Sequence, residues 1–503
     1  MQLAGYARVT SPQFRGDPQR PESWLQAPGE VLREMPGRRV FRATVDGQPV
    51  VIKLITPRRL RHFVRPYAQR EAENALAVRE RGLPVVEPLA YARLDDGRQI
   101  LVLRDEVDAL PLQQVIQENR LSGRARHALA KRVGALWAEL QNAGIRHDDP
   151  HAANFLVRPD GSVLLTDAWV LRAGDYLKPK ERAADLSQFA LFFLTHAKLS
   201  DLLLFWGAYG RASSFLPRDL EILRNAILER VPQAFRRLAG SRARRARRHG
   251  DRVKVGAFYG LTFGDVPADV VEEVVASAES LKPGPHVLKQ SPTAWTLVVR
   301  DEYVAKVFLP KKASRPFRDF VMGTRADRAV NAAEALLHRG LKTPEVVAVL
   351  RDGLLPDRSI LLMRRVADAR PLDEAAALMT PHRARETAGR LGRLLRRMHD
   401  WGLRHRDLKR DNLLVRADGE FVFLDLDGIR QTRRGKLDWE RRARDLAQLD
   451  GSLLSRNRVP TGLRLRTLDA YLARETPPGF EPGRFARLVV SFAAASRRRR
   501  LER

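Results

Sequence analysis

The strongest constraint on this chain is that its sequence repeats itself once. Residues 48–55, Gln-Pro-Val-Val-Ile-Lys-Leu-Ile, set Lys53 among apolar side chains as a β-strand would. Residues 302–308, Glu-Tyr-Val-Ala-Lys-Val-Phe, do the same for Lys306. A repeat this long indicates two similar structural modules. With 503 residues the chain is also too long for one ordinary core, so two domains are predicted.

The patterns that follow each lysine recur in the same order. A helical stretch ends in Arg-Gly-Leu, where the glycine is a plausible helix stop, and then come a strand pattern and a long amphipathic helix. These segments are 81–83, 99–103 and 124–143 in the first half and 339–341, 359–363 and 381–401 in the second.

Between the halves, residues 236–248 are dense in arginine and poor in large apolar side chains, as a solvated linker or an exposed helix would be. We therefore predict a first domain at residues 1–240, a basic linker at 241–252 and a second domain at 253–503.

Charge and composition limit the partners and the compartment. Ninety Lys and Arg against 60 Asp and Glu give a formal charge of +30, which favours anionic partners such as nucleic acid, anionic lipid or phosphorylated sugars. Nucleic acid has little support, because no aromatic residues are interleaved with the arginines. There is no cysteine, no apolar core of signal-peptide length in residues 1–17, and the apolar stretch 186–206 is interrupted by polar residues. We predict a cytoplasmic protein, with room for peripheral contact at a membrane.

The second half carries the clearest chemical pattern. Residues 405–412 read His-Arg-Asp-Leu-Lys-Arg-Asp-Asn, and Asp425 follows Asn412 by thirteen residues, after a predicted β-hairpin. This is the pattern of a protein-kinase catalytic loop followed by a metal-binding aspartate. Asp407 would accept or orient the proton of an attacking hydroxyl, and Asn412 and Asp425 would meet on magnesium. Lys409, two residues beyond the base, can reach a transferring phosphate.

The first half repeats this pattern with changes. Asp149 precedes Asn154 by five residues, and Asp167 follows Asn154 by thirteen, the same spacings as in the second half. The lysine-to-aspartate separation is 96 residues here and 101 in the second half. Two such matches at equal spacing are hard to obtain by chance. His151 stands where the second half has Lys409, which removes a positive charge without excluding activity.

On these motifs the chain resembles the lipopolysaccharide kinase family of Gram-negative bacteria, the Kdo and heptose kinases with a protein-kinase fold. More specific marks are a Gly-Leu before a proline in each half and an Asp-Leu-Asp at 425–427 in place of Asp-Phe-Gly. A later Asp-Leu, at Asp185 and Asp445, corresponds to an aspartate that braces the catalytic loop in kinases.

The resemblance implies an α+β fold of two tandem bilobal kinase-like domains, each with a small β-rich N-lobe and a mainly helical C-lobe. It implies that Lys53 and Lys306 contact the α- and β-phosphates of ATP. It implies that Asp149 and Asp407 are bases and that magnesium is held by two pairs, Asn154 with Asp167 and Asn412 with Asp425.

The match has departures. Kinase strand lysines usually pair with a helix glutamate. Glu71 or Glu73 could serve Lys53, and we take Glu73 as the nucleotide-side residue. Alignment on Arg-Gly-Leu places Asn331 opposite Glu73, so the second half lacks that pair or uses another partner. Neither half shows a glycine-rich phosphate loop.

The leading hypothesis is an ATP- and magnesium-dependent kinase acting on a sugar hydroxyl, of heptose or Kdo, in an anionic glycolipid or core oligosaccharide at the inner membrane. One alternative is a kinase of another small hydroxylated substrate or of protein. A second is a pseudokinase scaffold that binds nucleotide without turnover. The patterns specify neither the sugar nor the oligomeric state.

Overall fold

The computed structural model describes residues 5–26, 28–56, 66–280, 287–309, 323–353, 357–432, 437–454, 459–473 and 480–501. The chain is a mixed helix and sheet protein and divides into two compact units, Met1–Arg230 and Val231–Arg503. The helix Pro217–His249 contains this division and also most of the basic segment 241–252. The domain limits at 240 and 253 stay a prediction.

The first unit opens with a six-stranded antiparallel sheet in the order β1-β5-β6-β4-β3-β2. Its strands are β1 (Tyr6–Val9), β2 (Pro28–Met35), β3 (Arg38–Val45), β4 (Gln48–Ile55), β5 (Pro88–Arg93) and β6 (Gln99–Arg104). The helix α1 (Tyr67–Glu80) lies between β4 and β5 in the chain and packs on β5 and β6.

The rest of the first unit is mostly helical, with small sheets that shape the candidate site. Its short strands are β7 (Leu110–Pro111), β8 (Ile145–His147), β9 (Phe155–Val157), β10 (Val163–Leu165) and β11 (Leu171–Ala173). Its helices are α2 (Leu112–Gln117), α3 (Gly123–Asn142), α4 (Pro179–His196), α5 (Leu199–Ala212) and the start of α6 (Pro217–His249). The strands pair as β10-β9-β7 and β11-β8.

The second unit follows the same plan around a seven-stranded sheet in the order β12-β13-β17-β18-β16-β15-β14. These strands are β12 (Asp251–Val255), β13 (Phe258–Thr262), β14 (Val287–Ser291), β15 (Ala294–Val299), β16 (Tyr303–Phe308), β17 (Val346–Asp352) and β18 (Ser359–Arg364). Two helices accompany them, α7 (Ala268–Glu279) and α8 (Arg325–Leu337).

A helical region with small sheets completes the second unit. The sheets are β19-β21-β22 and β20-β23, from β19 (Ala369–Pro371), β20 (Leu403–His405), β21 (Leu413–Arg416), β22 (Phe421–Phe423) and β23 (Ile429–Gln431). The helices are α9 (Leu372–Ala377), α10 (Pro381–Asp400), α11 (Trp439–Leu454), α12 (Thr461–Leu472) and α13 (Pro482–Leu501).

Glycine ends α1 of the first unit and α8 of the second for the same reason. Gly82 has φ 72° and Gly340 has φ 63°, a left-handed conformation that costs glycine little. In each case the following leucine N–H donates to a carbonyl five residues back: Leu83 to Val78 at 3.2 Å and Leu341 to Leu336 at 3.1 Å. This satisfies carbonyls that the helix end leaves free and turns the chain toward the next strand. The predicted helix stops are confirmed.

The predicted lysine strands are also confirmed, as β4 and β16. The apolar stretch 186–206 forms parts of α4 and α5 rather than one segment. In the part of the chain that the structure describes, no helix has the length and apolar character needed to cross a bilayer.

Candidate active site

In the second unit, backbone and histidine contacts hold the predicted catalytic loop. His405 ends β20 and is fully buried. Its Nε2 donates to the Leu424 carbonyl at 2.9 Å, which leaves Nδ1 to accept the Asp407 N–H at 3.2 Å. His405 therefore positions the loop against the strand before Asp425.

A buried aspartate supports the same loop from α11. Asp445 Oδ2 accepts the backbone N–H of His405 at 3.0 Å, and its Oδ1 accepts from Arg404 Nη2 at 2.7 Å. Because this carboxylate is fully buried, its charge needs both donors. Asp445 braces the loop, as expected.

The loop brings the predicted base and the predicted metal ligand together. Asn412 Nδ2 donates to the Asp407 carbonyl oxygen at 2.8 Å and lies 3.3 Å from Asp407 Oδ2. Because the amide nitrogen faces Asp407, the amide oxygen is left for another partner. Lys409 Nζ lies 2.6 Å from Asp407 Oδ1, so the carboxylate and ammonium are adjacent.

Asp425 reaches this loop from the end of the β21–β22 hairpin. The Leu424 N–H donates to the Asn412 carbonyl at 2.9 Å, which sets Asp425 beside Asn412. Asp425 itself has φ 53°, an unusual conformation for a non-glycine residue that re-aims its side chain. Lys306, from β16, contacts the Asp425 carboxylate directly and lies 2.6 Å from Asp427 Oδ1.

The buried charges around Lys306 shift one another. Burial opposes its ammonium charge, but Asp427 and Asp425 outweigh burial and raise the pKa of Lys306. Burial would also raise both aspartate pKa values. Asp427, beside Lys306 and Arg325, keeps a lowered pKa, whereas the pKa of Asp425 is raised.

A cleft of about 1570 Å³ opens onto this constellation. Its lining includes all five residues that the sequence predicted for the second half: Lys306, Asp407, Lys409, Asn412 and Asp425.

The first unit assembles the corresponding residues. Asn154 Nδ2 donates to the Asp149 carbonyl at 3.0 Å, as its counterpart does in the second unit. His151 Nε2 lies 3.4 Å from Asp149 Oδ2, and this contact lowers the pKa of Asp149. Asp167, with φ 62°, receives Lys53 Nζ on Oδ1 at 2.9 Å.

The helix partner of Lys53 is Glu71, so the prediction of Glu73 is wrong. Lys53 Nζ lies 2.5 Å from Glu71 Oε1, and both side chains are buried. Glu73 instead accepts from Gln69 at an exposed position. Residues two apart point about 200° apart around a helix, so only one of the glutamates can face the sheet. The buried Ala68 and Ala75 share the face of Glu71, a periodicity in the sequence that could have identified it.

The second unit has no such glutamate among its described residues. Counting back from Arg-Gly-Leu, Ala329 occupies the place of Glu71. Lys306 takes its second carboxylate from Asp427 in the loop after β22. The Asp-Leu-Asp segment was noted in the sequence, but the pairing of its second aspartate with the lysine was missed.

The carboxylate of Asp185, the bracing aspartate of the first unit, is less well compensated than that of Asp445. Asp185 Oδ2 accepts the His147 N–H at 3.2 Å. Burial raises the pKa of Asp185 to about 6, and burial lowers the pKa of His147 to about 4. Burial thus disfavours the charged form of each group.

Comparison with known proteins agrees with this geometry. The model of the lipopolysaccharide kinase (Kdo/WaaP) family matches residues 22–191 and 288–466, one segment in each unit. The chain belongs to this family. The resemblance inferred from the motifs is confirmed.

The chain is also similar to curated proteins that are named as kinases. Proteins named 3-deoxy-D-manno-octulosonic acid kinase, from Xanthomonas campestris pv. campestris strains B100 and 8004, are each 36% identical over 156 residues. The match covers 28% of this chain and 57% of each relative.

The side-chain oxygen atoms in each site suit a magnesium ion that is also bound by phosphate oxygens. In the described ranges, no group of three or more His, Asp or Glu residues could hold a metal. Each unit instead has one amide and one carboxylate on adjoining segments, Asn412 with Asp425 and Asn154 with Asp167, where the Leu424 and Thr166 N–H groups donate to the asparagine carbonyls at 2.9 Å. Magnesium is typically bound through one or two such protein ligands plus phosphate oxygens and water.

Proposed function

We propose that the protein is an ATP- and magnesium-dependent kinase that phosphorylates a sugar hydroxyl, of Kdo or heptose, in the lipopolysaccharide core. The observation that carries this proposal is the convergence of Lys306, Asp407, Asn412 and Asp425 on one cleft. The family supports phosphoryl transfer, and the name of the curated relatives favours Kdo as the sugar.

Asp407 acts as the base at the second site. Its side chain is 39% exposed, so a sugar hydroxyl can approach it. The hydroxyl oxygen forms a bond to the γ-phosphorus, the bond from that phosphorus to the oxygen of ADP breaks, and the hydroxyl proton passes to the Asp407 carboxylate. Lys409, beside Asp407, offsets the charge on the transferring phosphoryl group.

Asn412 and Asp425 would hold the metal. A magnesium ion held there would supply positive charge that neutralises the phosphates. Lys306 holds Asp425 in place from the sheet and supplies a positive charge for the phosphates.

The first site would bind nucleotide in the same way. Lys53, Glu71 and Asp167 form a complete ion-pair arrangement there, and Asn154 keeps the orientation seen in the second unit. With His151 in place of a lysine, Asp149 would still receive the hydroxyl proton, and the transferring phosphate has one positive charge fewer beside it.

The excess of positive charge suits an anionic glycolipid as acceptor. A formal charge of +30 attracts phosphorylated sugars and the surface of an anionic membrane. We therefore place the reaction at the cytoplasmic face of the inner membrane, with the protein peripherally bound.

The test is phosphate transfer from labelled ATP to deacylated core oligosaccharides that end in Kdo or in heptose. We expect transfer with magnesium. In a chain that already carries Asp149→Asn, so that only the second site transfers, adding Asp407→Asn should lower the rate by about 100-fold or more, since a positioned base contributes that much. Asp411→Asn is the matched control, because Asp411 is a more exposed loop carboxylate that contacts Arg410.

Unchanged transfer on adding Asp407→Asn to the Asp149→Asn chain would contradict the assigned base. Transfer only to protein or to small hydroxylated metabolites in an acceptor panel would contradict the substrate. Magnesium-dependent stabilisation by ATP without any transfer would favour a nucleotide-binding scaffold.

A further inference from the structure

A guanidinium group that no sequence motif indicated contacts the charged centre of the first site. Arg38, the first residue of β3, donates from Nη2 to Asp167 Oδ1 at 2.7 Å. Its Nη1 lies 3.0 Å from the Tyr67 hydroxyl, and its Cζ lies 5.2 Å from the centre of that ring. Burial favours the neutral form of Arg38, but Asp167 outweighs burial and raises the pKa of Arg38. An aromatic ring and a carboxylate thus hold this cation in the site.

The second site contains a guanidinium in a similar environment. Arg325, the first residue of α8, lies 2.8 Å from Asp427 Oδ2 through Nη2. Its Cζ lies 4.4 Å from the centre of the Phe308 ring, and its Nη1 donates to the Thr293 carbonyl at 2.8 Å. This cation is also held between an aromatic ring and a carboxylate.

The two arginines come from positions that do not correspond. In β3 the residue that pairs with Lys53 lies two positions after Arg38, and in β15 the residue that pairs with Lys306 lies two positions after Ala294. Arg38 and Ala294 therefore occupy the same place on the same face of equivalent strands. The second unit therefore has alanine where the first has the strand arginine.

The helices show the reverse exchange. Counting back from Arg-Gly-Leu, Tyr67 of α1 corresponds to Arg325 of α8. The second unit therefore has a helix arginine where the first unit has tyrosine. Each site has one such guanidinium, supplied by the strand in the first unit and by the helix in the second.

The second carboxylate of each site also comes from a different position in the two units. Glu71 on the helix corresponds to Ala329, and Asp427 in the loop corresponds to Trp169. Each site therefore contains a quartet of one lysine, one arginine and two carboxylates. The quartets are Lys53, Arg38, Glu71 and Asp167 in the first unit and Lys306, Arg325, Asp427 and Asp425 in the second.

We propose that Arg38 and Arg325 are equivalent phosphate-binding residues, which contact the nucleotide polyphosphate in each site in place of a glycine-rich loop. This rests on the proposed function, because it assumes nucleotide binding at both sites. Guanidinium forks bind phosphate oxygens through two parallel N–H donors. Arg38 directly follows the β2–β3 turn, and the Arg325 guanidinium bonds to the β14–β15 turn; these turns contain one glycine and none, respectively. In each site an arginine guanidinium thus lies at a turn that does not offer the backbone N–H groups of a glycine-rich loop.

The test transfers the arrangement of the second site into the first. In the full-length chain carrying Lys306→Met, titration with a fluorescent ATP analogue and magnesium reports on the first site. We expect Arg38→Ala to weaken binding about tenfold, the effect of one charge-assisted hydrogen-bond contact. Arg39→Ala is the matched control, because Arg39 is exposed on the opposite face of β3 and should bind as the parent does.

The decisive variant is Arg38→Ala combined with Tyr67→Arg. Because the Arg38 guanidinium already lies beside the Tyr67 hydroxyl, an arginine introduced at position 67 can reach the same place. We expect this double variant to restore binding to within about threefold of the parent. Thermal melting of each variant without nucleotide establishes that it is folded.

The outcomes separate the two proposals. Parent-like binding by Arg38→Ala, or a folded double variant that binds no better than Arg38→Ala, would overturn the equivalence of the arginines while leaving nucleotide binding intact. Failure of the parent to bind the analogue would instead overturn the nucleotide role of the first site, and this inference with it.

Discussion

At the scale of single residues, the buried pair of Lys53 and Glu71 is the contact on which the first site most depends. Burial raises the pKa of Glu71, and Lys53 is the main group that opposes this shift. Removing one partner of a buried pair leaves the other charge poorly compensated, which costs more than the pair contributes when intact. The neighbouring Glu73 has no such constraint, because it is exposed.

Glu71→Gln should lower the free energy of unfolding of the first unit by about 1–3 kcal/mol, since it removes a charge-assisted hydrogen bond in the interior. It should also weaken nucleotide binding in the Lys306→Met background. Glu73→Gln is the control and should change stability by less than about 0.5 kcal/mol. Urea unfolding and nucleotide titration measure both effects. Equal effects of the two substitutions would contradict the assignment of Glu71.

A second prediction at this scale concerns pH. The pKa of Asp185 is about 6 in the folded protein and 3.8 ordinarily, so the folded state binds more protons between these values and loses stability as pH rises through them. His147, with a folded pKa of about 4, acts in the opposite direction, because the unfolded state binds more protons between about 4 and 6.5. The contributions of Asp185 and His147 to the pH dependence of stability therefore largely cancel in the native protein.

Asp185→Asn removes the contribution of Asp185 to the pH dependence of stability and keeps an oxygen that accepts the His147 N–H. The variant should be close to the native protein in stability near pH 4 and more stable by up to about 3 kcal/mol above pH 6, as a pKa shift of about two units implies. Urea unfolding at a series of pH values measures the difference. A difference that does not change with pH would show that the pKa of Asp185 is the same in the folded and unfolded states.

At the scale of elements, close helix packing holds the region behind each catalytic loop. Gly134 of α3 lies against the Phe205 carbonyl of α5, and Gly392 of α10 lies against the Thr467 carbonyl of α12. In both places a Cβ would overlap backbone that cannot move without separating the helices. Glycine is required there by contact rather than by conformation, since neither residue has a positive φ.

Gly134→Ala should therefore destabilise the protein by about 1–3 kcal/mol through overpacking, although alanine is the better helix former. Gly207→Ala is the control within α5. Its Cβ would meet only the end of the Arg211 side chain, so we expect stability to rise by up to about 1 kcal/mol. Thermal unfolding compares the two. Stabilisation by both would mean that the helices can separate at no cost.

At the scale of the whole molecule, the two units make separate sites with the same charge inventory. The full chain should bind two nucleotides, and either Lys53→Met or Lys306→Met should reduce this to one. Each substitution removes the ammonium of a single site, so the remaining site should keep its affinity. Calorimetric titration with ATP and magnesium measures the stoichiometry, and loss of both binding events in one single variant would show that the sites are not independent.

The sequence by itself determined the repeat, the family and the loop residues Asp149, Asn154, Asp407 and Asn412. These lie a few positions apart or joined by a short hairpin, so local geometry alone brings them together. Only the tertiary structure decided the partners of the strand lysines: Glu71 rather than Glu73 in one unit, and Asp427 in the other. Those partners lie 18 and 121 residues from their lysines on other elements of the fold, and which carboxylate reaches the ammonium depends on how helix and loop pack against the sheet. The same charge can then be supplied from several positions, which spacing in the sequence does not distinguish.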